Sequence, residues 1–263
     1  KQIDSDWSSV LDKLEQVRQH LVNRLTLVAN VTLDAGNWQK FEPQLRDFLS
    51  RLPVNPSSPA AWSPIRSADM EGLTIPAQVN YVGKGANLVK LGYRQDGSID
   101  VITKFLGTTW LWERVRVQGG AYGGFVSFSH RTGVLTYLSY RDPNVLATLE
   151  NYDRSADFLK GLKLDPAELT KSIIGAIGDM DAYLLPDAKG FVSLQRYLAG
   201  ETDEFRQSIR DQLLGAEAKD FHALGDVLER LNETGNVVVM GSPEALTKAN
   251  AGLEKKLSIT KLL

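Results

Sequence analysis

Hydrophobic positions recur at helical spacing almost from the start of the chain. Trp7, Val10, Leu11, Leu14, Val17 and Leu21 share one face, which predicts an amphipathic helix. Residues 25–33 are rich in β-branched side chains and run into Asp34-Ala35-Gly36, which predicts a strand closed by a turn. A second helix is predicted over 38–52, with Phe41, Leu45, Phe48 and Leu49 at helical spacing, and it stops before Pro53. Prolines 53, 56, 59 and 64, set among Ser and Ala, make 53–72 a linker, because proline fixes φ and removes a backbone donor.

Beyond the linker the apolar period changes. Residues 76–82 alternate and predict a strand, and 98–116 predict one long helix with Ile99, Ile102, Phe105 and Leu106 inward. Two strands follow over 125–129 and 134–139, joined by a turn at Arg131-Thr132-Gly133. From Pro143 the pattern is mostly helical. Asp142-Pro143 and Asp165-Pro166 each offer an N-cap acceptor with proline in the first helical position, and further helices are predicted over 186–199, 203–214 and 217–232. A strand over 236–240 and a helix opened by Ser242-Pro243-Glu244 come next, and Lys255, Lys256 and Lys261 read as a solvated tail. The order helix, strand, turn, helix over 7–52 therefore returns as pattern near the end of the chain. It divides the sequence into 1–52 (the tail of one α/β unit), a linker over 53–72, and a complete second unit over 73–263. The chain has no initiator Met and enters a helical pattern at once, as a piece of a longer polypeptide would.

Composition narrows the function classes. A net charge of −2 offers no basic footprint for nucleic acid. No apolar run nears the roughly 20 residues that span a bilayer, so a soluble protein without a membrane partner is expected. The lack of cysteine excludes disulfides and thiolate metal sites within these 263 residues.

The stretch Arg114-Val115-Arg116-Val117-Gln118-Gly119-Gly120-Ala121-Tyr122-Gly123-Gly124 stands apart. Glycine fills four of the six positions 119–124 and surrounds one tyrosine, although each glycine adds to the entropy lost on folding. Two readings stand side by side. In one, the glycines form a tight helix-to-strand turn. In the other, the backbone lies close to another chain or ligand while presenting Tyr122. A phosphate cradle is excluded, since no Gly-x-x-x-x-Gly-Lys occurs and the glycines follow a helix.

This string, together with Ser139-Tyr140-Arg141-Asp142-Pro143-Asn144 and Gln78-Val79-Asn80-Tyr81-Val82-Gly83, closely resembles the last domain of presequence proteases. These belong to the pitrilysin/insulinase family of inverted zincins. The resemblance implies an α+β fold of the insulinase type (metalloenzyme LuxS/peptidase-like), an antiparallel-rich mixed sheet packed with helices. The tail of a second such domain would precede it. It implies a zinc-dependent oligopeptidase acting on unfolded peptides such as cleaved targeting presequences, in an organelle matrix or a bacterial cytoplasm or periplasm. The zinc and general base lie in an N-terminal catalytic half that carries His-x-x-Glu-His. Residues placed as Arg116 and Tyr122 reach the substrate across the chamber. By this resemblance Tyr122 would donate to the developing oxyanion and Arg116 would hold a carbonyl or carboxylate. Gly119, Gly120 and Ala121 would, on the same resemblance, line the substrate backbone. A catalytically silent scaffold or peptide-binding protein of the same fold is the alternative.

The histidines support that division of labour. His20, His130 and His222 form no zinc-binding spacing, so each reads as structural, and this chain alone is expected to bind no metal and cut nothing. Asp179 and Asp181 read as solvated helix-end carboxylates, and Trp110 and Trp112 as core, with one of the aromatics able to line the chamber wall.

Overall fold

The computed structural model describes residues 2–56, 58, 61–63 and 68–262. In chain order the elements are α1 (Gln2–Ser5), α2 (Trp7–Leu21), α3 (Ala35–Ser50), β1 (Met70–Thr74), β2 (Tyr81–Asn87), α4 (Ser98–Thr108), a π-helical turn (Trp112–Val117), β3 (Gly123–Ser129) and β4 (Val134–Tyr140). Then come α5 (Leu146–Asp153), α6 (Ser155–Lys160), α7 (Pro166–Met180), α8 (Pro186–Ala199), α9 (Asp203–Leu214), α10 (Ala218–Thr234), β5 (Asn236–Gly241), α11 (Pro243–Gly252) and β6 (Ser258–Lys261). They fall into two compact units, one of residues 1–65 with 183–200 and one of 66–182 with 201–263.

The smaller unit holds α1, α2, α3 and α8. Asp6 and Asp34 cap α2 and α3 by accepting from Ser9 and Asn37 N–H. The strand expected over 25–33 does not form. Residues 25–26 lie in a turn and 27–33 have no regular structure, since the described part of this unit offers no strand to pair with, and β-branched composition cannot replace a partner. Asn30 instead donates its side-chain amide to Gly190 O on α8. The apolar face predicted for α2 lies on the helix as expected, yet none of its residues is buried. Of the linker expected over 53–72, residues 57, 59–60 and 64–67 lie outside the described residues. Residues 53–56, 58, 61–63 and 68–69 have no regular structure, and 70–72 already belong to β1.

In the larger unit one sheet runs β3-β4-β2-β5-β1-β6. β3, β4, β2 and β5 are antiparallel neighbours, whereas β1 pairs parallel with both β5 and β6. The period of two decides which face is covered. Val82, Leu135, Tyr137, Val237 and Val239 are fully or almost fully buried under the helices. On the opposite face Phe125 and Leu138 are cross-strand partners, followed across the sheet by Gly83 and Val238. Phe125, Leu138 and Val238 remain exposed, so that face is open in this chain. Over the covered face lie α4, with Ile99, Ile102, Phe105 and Leu106 buried, and α10, with Phe221, Leu224, Leu228 and Leu231 buried. Two buried tyrosines of this core are paired, whereas Asn80 Oδ1 and Asn232 Oδ1 find no partner among the described residues. Tyr137 Oη lies 2.7 Å from Ser155 Oγ, and Tyr152 donates to Val82 O at 3.1 Å.

Several elements differ from the sequence pattern. Residues 76–80 turn instead of extending a strand, with Ala77 N–H bonded to Ile75 O, and the strand begins at Tyr81. The expected helix over 98–116 breaks at Thr109. The Thr108 and Thr109 hydroxyls bond back to Lys104 O and Phe105 O, and the chain then re-forms as a π turn. Asp142-Pro143 does not open a helix. The buried Asp142 carboxylate accepts from Asn144 N–H and Thr148 Oγ1, and α5 begins only at Leu146. Asp165 does cap α7 as expected. Lys261 belongs to β6 and not to a free tail, held at the sheet edge through its register with Thr74.

Candidate functional site

The glycine-rich string sits where the π turn feeds β3. Gln118 N–H bonds to Glu113 O at 2.9 Å, an i to i+5 bond that widens the turn. That spacing sets Trp112 and Arg116 one above the other, with the guanidinium carbon 4.4 Å from the Trp112 ring centre. The same guanidinium lies 5.6 Å from the Tyr122 ring. Among the described residues no carboxylate pairs with Arg116. Glu113 accepts instead from Gln118, and Gln118 accepts from Arg114.

Each glycine has an internal reason. A Cβ at Gly119 would stand 2.5 Å from Val115 O, the carbonyl that also receives Ala121 N–H. Gly120 has φ +78°, a left-handed value that side chains resist. Gly123 lies under the Phe125 ring, and Gly124 packs on Val115. The turn reading therefore accounts for Gly119 and Gly120, whereas Gly123 and Gly124 already belong to β3, and the same turn presents Tyr122. Its backbone N–H is tied to Tyr140 O at 3.0 Å, and its ring is 64% exposed with an edge against Tyr140. The hydroxyl has no hydrogen-bond partner among the described residues. The second string closes the site from below, since Asn144 holds Gly119 O and Pro143 packs on Gly120. Arg141 sits at φ 49° between them.

Sequence reasoning placed Arg116, Gly119, Gly120, Ala121 and Tyr122 together, and they are together; Ala121 itself is buried. It missed the role of Trp112, which is 48% exposed beneath Arg116 and not a core residue. The separation of four between an aromatic and a cation was the available signal. Trp110 does pack inward, stacked on Phe158 with its N–H on Asn151 O. Also unforeseen was a cleft of about 600 Å³ that begins at Trp112 and Arg116 and follows β3.

The residues present do not fit a zinc site. Among the described residues no three His, Asp or Glu side chains converge on a point that could hold a metal ion. His130 is engaged by Asp100 at 3.0 Å and by Gln95 at 3.1 Å, and His222 by Leu162 O. Asp179 and Asp181 are exposed, as expected of solvated helix-end carboxylates, and carry separate ion pairs with Lys104 and Arg210; Arg210 holds the Asp181 carboxyl below its usual pKa.

A family model described as the PreP C-terminal domain matches residues 70–243, from the first strand of the sheet to the start of α11. The chain belongs to the PreP C-terminal domain family. In the PreP C-terminal domain the two strings that meet at Arg116 and Tyr122 thus lie inside the matched region. Over 254 residues the chain is 46% identical to presequence protease 1, chloroplastic/mitochondrial, of Arabidopsis thaliana, covering 95% of this chain and 23% of that protein. It is 30% identical to protein HypA of Clostridium perfringens, covering 91% of this chain and 24% of that one. The chain thus spans about a quarter of the length of these relatives. Among solved structures, a peptidase M16 inactive domain from Pseudomonas fluorescens superposes with a TM-score of 0.55 at 15% identity, over 80% of this chain and 52% of that one. A protease from Helicobacter pylori gives 0.50 at 16% identity, over 77% and 52%. These likenesses give the fold, an α+β insulinase-type peptidase domain.

Proposed function

We propose that this chain is the substrate-side, C-terminal part of a zinc-dependent oligopeptidase that degrades unfolded peptides such as cleaved presequences. The observation that carries the reading is an arginine with no carboxylate partner among the described residues beside an exposed tyrosine, the two brought together by the turn at Gly119 and Gly120. Tyr122 donates a hydrogen bond to the oxyanion that forms at the scissile carbonyl, and Arg116, steadied on Trp112, holds a substrate carbonyl or carboxylate. The turn at Gly119, Gly120 and Ala121 passes beside the substrate backbone. Zinc and the general base come from the N-terminal half of the same polypeptide, which meets this one across a chamber. The division into 1–52, a linker and a second unit is part of the proposal, with the first segment the tail of the preceding domain and the linker ending at β1, which begins at Met70 rather than after residue 72.

The names of the relatives support this reading. The relatives named as mitochondrial or chloroplastic favour an organelle matrix, and the bacterial ones a bacterial compartment. Among the described residues no helix is long and apolar enough to cross a membrane. In the polypeptide that carries the zinc-bearing half, Tyr122→Phe is expected to lower kcat by about 10²-fold with KM little changed. Unaltered turnover would remove Tyr122 from the mechanism. The chain by itself should cleave no peptide with or without zinc, and zinc-dependent cleavage by it alone would overturn the reading.

A further inference from the structure

The cleft beside Arg116 has an unusual wall. Consecutive residues Gly123 to Phe128 of β3 all line it. A cleft over one face of a sheet would touch alternate residues only, since successive side chains point to opposite faces. This one must therefore run along the strand's edge. β3 is the terminal strand of the sheet, with β4 on its other side, so it presents unpaired backbone groups to the cleft. The opposite wall is one face of α4, at Asp100, Thr103, Lys104, Gly107 and Thr108, continued by Trp112 and Arg116.

The two edges of this sheet are built differently. β6 is four residues long and ends in Lys261, the usual way of discouraging a further strand. β3 is seven residues long, Gly-Gly-Phe-Val-Ser-Phe-Ser, with neither charge nor proline. Gly107 adds to this contrast. It weakens α4 by about 1 kcal/mol relative to alanine, yet a Cβ there would meet nothing within 4 Å. No packing among the described residues requires glycine at 107, and its absent side chain widens the cleft.

Charge gives the cleft a direction. Arg116 stands at the Gly123 end, against Tyr122. Asp100 stands at the far end, bonded to His130 just beyond β3. Lys104 and Asp179 between them neutralise each other at 2.8 Å. A bound segment with its C-terminal side at Arg116 and its N-terminal side at Asp100 runs antiparallel to β3, the stronger pairing mode. The exposed Trp112, Phe125 and Met180 offer apolar surface to its side chains.

We propose that the free edge of β3 takes up an extended, unfolded peptide as an added antiparallel strand, leading the chain toward Arg116. The six lining residues correspond to about 20 Å of strand. This deepens the reading of the chain as a peptide-handling unit and rests on it, but it concerns binding and needs no bond cleavage.

The test is a binding titration of this chain with fluorescently labelled, unstructured decapeptides rich in apolar residues, each N-methylated at a single position. An added strand uses alternate peptide N–H groups. Affinity should therefore fall about tenfold or more at every second position and change little between. Gly107→Phe, a substitution into open space, should weaken all the peptides about tenfold while leaving the melting temperature of the chain intact. A flat methylation profile, or undiminished binding by Gly107→Phe, would overturn the proposal. So would β3-edge dimerisation that excludes peptide, seen as a doubling of mass in sedimentation. The two readings fail separately. Alternating binding with no effect of Tyr122→Phe on turnover retains the edge site and sinks the catalytic role; the reverse result does the opposite.

Discussion

The side-chain amide of Asn144 donates to the carbonyl of Gly119 at 2.6 Å, joining the two sequence strings that mark this domain. Asn144 is itself fixed, because its backbone N–H is held by the buried Asp142 carboxylate. The buried loop after β4 thus sets the height of the glycine turn, and the turn sets Tyr122. Asn144→Ala should cost about 1–2 kcal/mol for the carbonyl left without its donor. Peptide turnover by the polypeptide bearing the zinc half should fall more than that modest instability explains. Denaturant unfolding paired with kcat at a temperature well below melting separates the effects; a change in stability alone would confine Asn144 to a structural role.

Gly119 and Gly120 should respond differently to alanine. At Gly120 the methyl group has space, its nearest contact being Pro143 at 3.6 Å, so only the φ of +78° resists it. A penalty of about 1–2 kcal/mol is expected. At Gly119 the methyl group would press on Val115 O at 2.5 Å, a backbone atom that cannot swing away. Because that carbonyl anchors Ala121 N–H, the turn itself must move, and the loss should exceed that at Gly120. Equal melting shifts for the two variants would contradict this account.

Lys84, only 6% exposed, donates to Asp153 and to Asn232 O beneath the sheet. Burial holds the Asp153 carboxyl above its usual pKa, although the Lys84 ammonium opposes the shift. The folded state therefore binds the Asp153 proton more tightly than the unfolded chain. Ionising it takes stability away as pH rises from about 4 through the folded pKa. Lys84→Met removes the cation and raises that pKa further. Its deficit should be smallest at low pH, where Asp153 is protonated in both states, and should grow toward neutrality to about 2 kcal/mol, a partly exposed carboxylate moderating the loss. Urea unfolding at acid and neutral pH reads the difference, and a deficit that shrinks with rising pH would reverse the sign.

How much of this was legible in the sequence depended on whether the signal was local. The β3–β4 hairpin could be read because Gly133 takes φ +70° in its turn and apolar residues alternate on both sides. The helices of the larger unit announced themselves through caps such as Asp165 and Ser242. β1 and β6 left no such trace. Met-Glu-Gly-Leu-Thr is a strand only because β5 and β6 flank it, and Gly72 lies close under Ile259 from β6. The reverse error befell residues 25–33, whose composition favours a strand that has nothing to pair with. At the site, Arg116 and Tyr122 were visible in one continuous string, whereas the cleft joins α4, α7 and β3, which only folding brings together.

Trp112 tests whether Arg116 acts as a flat cation or a mere positive charge. The ring and guanidinium stack at 4.4 Å on an exposed surface, so the pair adds little to stability and its loss should leave melting nearly unchanged. What the ring supplies is orientation, holding a planar fork with parallel donors toward the substrate. Arg116→Lys keeps the charge and loses the fork, and Trp112→Ala keeps the fork and loses its support. Each should lower kcat/KM in the zinc-bearing polypeptide by about tenfold, and the double variant should fall little further, because both remove the same alignment. Full activity in Arg116→Lys would mean that charge alone suffices, and the π turn that stacks the two residues would then need another explanation.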